Sequence, residues 1–306
     1  MAPFEQSVAG HRRVARDIAR EQRYSEPMQD GQFSRTALGA AGYRAVHQAR
    51  DGGRIFADPL ALRILGEDAA PILAEAEDHP ARRGLRMFIA VRSRFAETAA
   101  RRAMNEGARQ IVVLGAGLDT FAYRLEPIDG LRAFEVDHPS TQTEKRRRLA
   151  AAAINVPEHL TFAPCDFERA GLAEALRAAG FDDSRRAVFL WLGVVPYLTR
   201  AAILSTLGFI SAMPGGGEVV FDYSNPSHTI VDPDQRSAHE LLATKVAHAG
   251  EAFQTYFVTS ELHEMLRALG FSRVEDMGPR EMAAKFFPDR ASPARANGGH
   301  VIWAAR

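Results

Sequence analysis

The chain has 306 residues, 46% of them apolar, which is the composition of an ordinary soluble globular protein. Thirty-eight basic residues balance 38 acidic ones, so the formal net charge is zero and there is no bulk attraction for nucleic acid or an anionic membrane. A single cysteine, Cys165, excludes a disulfide framework and a cysteine-based zinc site.

Residues 1 to about 30 are polar, arginine-rich and weakly periodic, as expected of a mobile or loosely docked helix. The start, Met1-Ala-Pro-Phe-Glu-Gln, has no apolar signal-peptide core, and no stretch of about 18 apolar residues occurs, so a cytoplasmic protein is expected. Helices are expected over 34–49, from the Asp58-Pro59 turn onward, and over 81–105, where Met87, Phe88, Val91 and Phe95 share one face. The first 105 residues therefore read as a helical unit, and 106–306 as a second unit of different texture.

From Gln110 short apolar runs alternate with helical segments. Strands are expected at 110–114, 131–137, 159–165, 187–192 and 218–223, with helices near 120–126, 140–153, 168–179 and 199–212. This alternation predicts an α/β fold, a parallel sheet covered on both faces. An insertion of about 226–256 follows, helical around His239, then a helix capped by Ser260 and stopped by Gly270. Two short strands, 272–277 and 300–305, complete the chain.

The main functional signal is Val113-Leu-Gly-Ala-Gly-Leu-Asp-Thr120, a glycine loop between the first strand and the next segment. Glycines there let the backbone approach a ligand. Asp137 ends the next strand 20 residues beyond Gly117, where a carboxylate can accept from ribose hydroxyls. A dinucleotide fingerprint needs a third glycine at the place of Thr120, which counts against an NAD-linked oxidoreductase. S-adenosylmethionine, with no pyrophosphate to cradle, fits the loop better. A plain strand-to-helix turn without a ligand is the bland alternative.

The segment Ile111-Val-Val-Leu-Gly-Ala-Gly-Leu-Asp-Thr-Phe-Ala-Tyr-Arg-Leu resembles the first motif of the leucine carboxyl methyltransferase family. Further matches are Ser34-Arg-Thr-Ala-Leu, Ile55-Phe-Ala-Asp-Pro-Leu-Ala, Ala90-Val-Arg-Ser-Arg-Phe, Phe134-Glu-Val-Asp-His-Pro and Trp191-Leu-Gly-Val-Val-Pro-Tyr-Leu-Thr. The resemblance implies a class I methyltransferase fold: a Rossmann-like seven-stranded sheet, last strand antiparallel, with a helical N-terminal cap and a helical lid insertion. It implies S-adenosyl-L-methionine as cofactor. Arg35 and Arg92 would hold its methionine carboxylate, with Arg94 a substitute for Arg92. Gly115 and Gly117 would line the methionine part, Asp137 would take the ribose hydroxyls with His138 shaping that turn, and Asp166 and Phe167 would meet the adenine; Ala116, Asp119 and Trp191 complete the expected cofactor site. Many members carry glutamate where this chain has Leu192, so the cofactor is either contacted there through backbone groups or bound more weakly.

The implied partner is a small-molecule acceptor with a carboxyl or hydroxyl group, as in secondary metabolism, met by a monomer or homodimer. A carboxylate is ionised at neutral pH and needs no base, whereas a phenol gains from one. Tyr197, Tyr223 and His228 are the catalytic candidates, and Tyr123, Asn225, Tyr256 and Arg280 could also face the acceptor. No metal-ligand spacing occurs. A non-catalytic S-adenosylmethionine-binding protein is the remaining alternative. The run Lys145-Arg-Arg-Arg148 is expected to be a solvated helix face.

Overall fold

The computed structural model describes residues 34–78, 82–167, 171–248, 252–288 and 298–306. The amino-terminal stretch 1–30 lies outside the described residues.

The chain opens with α1 (Arg35–Arg50), whose N-cap is Ser34: its hydroxyl accepts from Ala37 N at 3.1 Å. Helices α2 (Ala61–Leu65), α3 (Ala69–Asp78) and α4 (Arg83–Asn105) follow. Then strands and helices alternate: β1 (Gln110–Leu114), β2 (Arg132–Asp137), α5 (Pro139–Ala151), β3 (Leu160–Pro164), α6 (Leu172–Ala178), β4 (Ala187–Trp191), α7 (Arg200–Ala212) and β5 (Gly217–Ser224). The remainder is α8 (Pro233–His248), α9 (Thr259–Ala268), β6 (Arg273–Met277), α10 (Pro279–Phe286) and β7 (Gly299–Ala305).

The sheet has seven strands in the order β3-β2-β1-β4-β5-β7-β6. Strands β1 to β5 pair in parallel, and β7 runs antiparallel to both β5 and β6. This is the class I methyltransferase arrangement. The central strands β1 and β4 are buried at every residue, which their unbroken apolar runs require of strands covered on both faces. Side chains of α6, α7 and α9 cover one face with Val112, Phe134, Phe189 and Phe221. The long α4 covers the other with Ile111, Val188, Leu190 and Val220. A smaller cluster of Ala41, Ile64, Leu118 and Leu149 docks α1 and α2 onto α5. No described helix is long and apolar enough to cross a membrane.

Two local readings change. The segment 120–126 forms only a 3-10 turn at Ala122–Arg124, because Pro127 drives the residue before it out of the helical region. Helix α10, which the sequence reading did not place, is signalled by Gly278-Pro279-Arg280-Glu281: proline is tolerated in a first turn, and the Glu281 carboxylate accepts from Gly278 N at 3.1 Å.

Candidate functional site

Strand β1 ends on Leu114, and the chain then turns through Gly115 at φ +62° and Gly117 at φ +44°. L side chains rarely adopt that left-handed region. Space is equally restrictive: a Cβ on Gly115 would lie 2.3 Å from Val194 Cγ2, and one on Gly117 would lie 2.9 Å from Ala37 Cβ. The loop leaving β4 and the first turn of α1 therefore both close on the glycine loop. Gly115 N and Ala116 N donate to Val136 O at 2.8 and 3.1 Å, stapling the loop to β2. Asp119 accepts from Phe121 N at 2.7 Å and shapes the exit.

Glu135 and Asp137 share one face of β2. They are not equivalent. Glu135 is fully buried, 2.8 Å from Lys145 Nζ, and accepts from the Tyr123 hydroxyl at 3.1 Å. Burial outweighs Lys145 and pushes its carboxyl up to about 7. It has no capacity to serve a ligand. Asp137, at the strand end, accepts from Gly117 N at 2.5 Å and His138 N at 2.7 Å, one bond per oxygen. Each oxygen keeps a lone pair, and burial raises the carboxyl above its usual value against those two donors. His138 caps α5 through its ring: Ser140 N donates to Nδ1 at 3.3 Å. It shapes the turn after Asp137.

The Lys145–Arg148 run is not a solvated face throughout. Lys145 is 1% exposed, and Arg148 reaches Asp68 at 2.7 Å and Leu65 O at 3.0 Å. Arg146 lies over the Phe162 ring at 3.9 Å, and Arg147 and Arg148 both pair with Glu144 on the same helix, at 2.8 and 2.7 Å. Tyr123, tied to Glu135 and half-buried, is held well above the usual phenol value and is not placed to meet an acceptor.

Asp58 and Arg44 form a support that sequence reading passed over. Asp58, 1% exposed, accepts from Arg44 Nε at 3.1 Å and Thr120 Oγ1 at 2.8 Å. Arg44 Nη2 donates to Leu118 O at 2.7 Å. Arg124 donates to Thr120 Oγ1 at 3.1 Å and grips Glu97 with two nitrogens. The Ile55–Ala61 motif thereby fixes the far side of the glycine loop.

Arg92, on α4, is buried against the loop after β4. Its Nη1 donates to Asp222 Oδ2 at 2.7 Å, and the other Asp222 oxygen accepts from Gly193 N at 2.5 Å. Gly193 has φ +71°, and a Cβ there would lie 2.8 Å from Arg92 Nη2. Arg92 Nε is shielded from solvent without a hydrogen-bond partner among the described residues. Arg94 faces outward from the same helix and cannot replace it. It lines a groove of about 660 Å³ with Phe56, Glu97, Arg101 and Arg124, along the half of α4 that leads to the start of β1. In parallel α/β sheets ligands bind at the opposite, carboxyl ends of the strands. Arg35 is half-buried at the start of α1, two residues before the Ala37 that meets Gly117.

Trp191 departs from expectation. It is fully buried within the α6–α7–α9 face, its ring 6.2 Å from Phe221, so it is core rather than a pocket wall. Leu192 instead points to the α4 face and packs there. Asp166 and Phe167 follow β3, whose end is tied to β2 by Cys165 N donating to Asp137 O at 2.9 Å. The next helix begins at Leu172 with Gly171 as N-cap, so Asp166 does not cap it.

On the acceptor side, Tyr223 is 2% exposed and donates to Asp276 Oδ2 at 2.6 Å. Burial and that carboxylate drive its phenol above the usual range, so it remains protonated. Asp276 also meets His263 at 2.8 Å and His300 at 2.9 Å. Asn225 joins this cluster to the chain, donating to Phe257 O at 3.0 Å and accepting from Gly298 N at 2.9 Å. His228 and Arg280 are exposed. Tyr197 packs against Phe253 at 5.2 Å. Among the described residues no group of three or more His, Cys, Asp or Glu could hold a metal.

The leucine carboxyl methyltransferase family profile matches residues 37–211. The "Putative S-adenosyl-L-methionine-dependent methyltransferase YktD" of Bacillus subtilis is 35% identical over 189 residues, 60% of each chain. A "Putative S-adenosyl-L-methionine-dependent methyltransferase" of Mycolicibacterium gilvum is 33% identical over 218 residues, 65% of this chain and 69% of its own. The chain spans 60 to 65% of the length of the first curated relatives it matches. Human N-acetylserotonin methyltransferase in complex with S-adenosylmethionine superposes with a TM-score of 0.43 at 16% identity, covering 88% of this chain and 68% of that one.

Proposed function

Because the chain belongs to the leucine carboxyl methyltransferase family, we propose that it is an S-adenosylmethionine-dependent methyltransferase. In this reading it methylates an oxygen, carboxylate or phenolic hydroxyl, of a small acceptor, as a monomer or homodimer. The observation that carries the reading is the meeting of Gly117 and Asp137. A backbone turn in the left-handed region and a carboxylate with spare lone pairs are joined by one hydrogen bond of 2.5 Å.

When bound, S-adenosylmethionine supplies an electrophilic methyl group on a sulfonium sulfur. Gly115, Ala116 and Gly117 let backbone approach its amino-acid part, and Asp137 accepts from the ribose hydroxyls. Asp166 and Phe167 border the adenine, while Asp119 and His138 keep the two turns in shape. Arg92 and Arg35 supply charge for the methionine carboxylate. The buried, unpartnered Nε of Arg92 fits that task, since a closed pocket must satisfy such a donor. Leu192 offers no acceptor, but Asp222 brings a carboxylate under the same Gly193 turn. Of the expected 1–105 cap, helices α1 to α3 lie over this site while α4 belongs to the cover of the sheet, and 226–256 forms a lid over the acceptor.

The chain's remaining contribution is placement. Holding nucleophile, methyl and sulfur in line accounts for roughly 7–11 kcal/mol of barrier. Thr120 speaks against dinucleotide binding, because its side chain fills the third-glycine position and is committed to Asp58. The test is thermal melting with S-adenosylhomocysteine or NADH, followed by methyl transfer to a panel of carboxylic acids and phenols. Stabilisation by S-adenosylhomocysteine alone, with turnover of one acceptor class, is expected. Stabilisation by NADH alone refutes the reading.

A further inference from the structure

We propose that His239 accepts the proton of a neutral phenolic acceptor, so that the substrate is an aromatic alcohol rather than a carboxylate; this deepens the reading above and rests on it. The argument starts at Val194, which meets Gly115, so the loop leaving β4 begins beside the glycine turn. Three residues on, Tyr197 starts an aromatic wall. Its ring is 5.2 Å from Phe253, Phe253 is 6.1 Å from Tyr256, and Tyr256 is 5.7 Å from His239.

The wall is fixed at both strand exits. Gln254 N and Thr255 N donate to Pro196 O at 2.7 and 3.2 Å, and Phe257 N donates to Ser224 O at 3.0 Å. Thr255 Oγ1 donates to Leu198 O at 2.6 Å. Segment 252–257 thus spans from the β4 exit to the end of β5, where acceptors of an open α/β sheet lie. Aromatic rings at these spacings suit an aromatic guest, which stacks or meets them edge-on.

His239 enters this wall from α8. Its Nδ1 is 3.5 Å from Ser224 Oγ, and its Nε2 is shielded from solvent with no hydrogen-bond partner among the described residues. A proton on Nδ1 directed at Ser224 leaves Nε2 as a bare acceptor. Burial lowers the ring's proton affinity, and Glu240 on the same helix opposes that. Among the described residues the ring meets Ser224 from β5 and Tyr256 from the wall, and the neighbouring Glu240 acts on it through space. A carboxylate would need a cation here instead. Arg236, one turn earlier on α8, gives Nε and Nη2 to Ile230 O at 3.0 and 2.8 Å.

In the step, the phenolic oxygen forms a bond to the methyl carbon as the carbon–sulfur bond breaks. The bond's electron pair stays on sulfur, which becomes a neutral thioether. The phenolic proton passes to His239 Nε2 and is released to water when the methylated product leaves and the site opens.

The test uses para-nitrophenol, whose absorbance reports its ionisation, titrated onto protein saturated with S-adenosylhomocysteine. Binding of S-adenosylhomocysteine is measured first; its absence in the wild-type protein overturns the parent reading. Given that binding, wild-type protein should hold the probe with a larger phenolate fraction than free probe at the same pH. His239→Asn and His239→Gln should bind S-adenosylhomocysteine with unchanged affinity and lose the excess phenolate. With a turned-over phenol, kcat should fall about 10²-fold at little-changed KM, the scale of one general base. No excess phenolate in the wild-type protein, excess phenolate surviving in a folded variant, or turnover of carboxylic acids only overturns the proposal.

Discussion

Replacing Lys145 with methionine keeps the length of the side chain but removes the charge that faces Glu135 inside the protein. The two side chains are 2% and 1% exposed and 2.8 Å apart. At an effective dielectric of about 20 their attraction is about 6 kcal/mol. Desolvation still wins, since burial holds Glu135 near 7 rather than 4.5, a net penalty of about 3 kcal/mol even with the lysine present. Removing one partner of such a pair costs about 3–5 kcal/mol. For a chain of this size that lowers Tm by about 6 °C in scanning calorimetry. The sign with pH is fixed as well. Glu135 in Lys145→Met keeps its proton to higher pH than the unfolded chain does. Stability should therefore fall as pH rises above about 5, by up to about 1.4 kcal/mol per pH unit. Glu135→Gln in the same background leaves an acceptor for the Tyr123 hydroxyl and should recover most of the loss. A Lys145→Met protein that melts within about 2 °C of wild type, or shows no pH slope, refutes the reasoning.

Other substitutions probe the site's supports. Gly115→Ala puts a Cβ 2.3 Å from Val194 Cγ2 at φ +62° and should weaken S-adenosylhomocysteine binding at least about tenfold by calorimetry. Asp58→Asn strips the charge opposite Arg44 and should cost about 3 kcal/mol in urea unfolding; a loss under about 1 kcal/mol would contradict the support role. Asp276 is buried, which raises its carboxyl, but hydrogen bonds from His300, Tyr223 and His263 win and hold it below the ordinary range. Its contribution is therefore present above about pH 4 and lost as pH falls through the lowered value. Asp276→Asn should flatten that acid limb of the stability profile, and an unchanged limb would place the titration elsewhere.

The strands were legible because a strand buried on both faces needs a continuous apolar run, and 110–114 and 187–191 are such runs. The glycine loop was legible because its conformational demand is local. The buried charge pairs were not, because docking alone decides them. Asp58 meets Thr120 from 62 residues away, and Arg92 meets Asp222 from 130. Lys145 sits among three arginines, and only the fit of α5 against β2 selects which of the four turns inward. Trp191 ends a strand, and alternation sends it to the core with Phe189 while Leu192 takes the opposite face. Neutral net charge hides these arrangements: Arg44, Arg86, Arg92, Arg124 and Arg148 all hold carboxylates with side chains at most 12% exposed. Arginine's planar fork suits such partly buried pairs better than lysine's point charge does.

Titration calorimetry of S-adenosylhomocysteine into the wild-type protein and Asp137→Asn tests the central claim most directly. The account predicts one-site binding to the wild-type protein and at least about tenfold weaker binding to the variant, since a hydrogen bond to a charged group contributes about 1.5–3 kcal/mol. No binding to the wild-type protein, or equal affinity in the two, would contradict it.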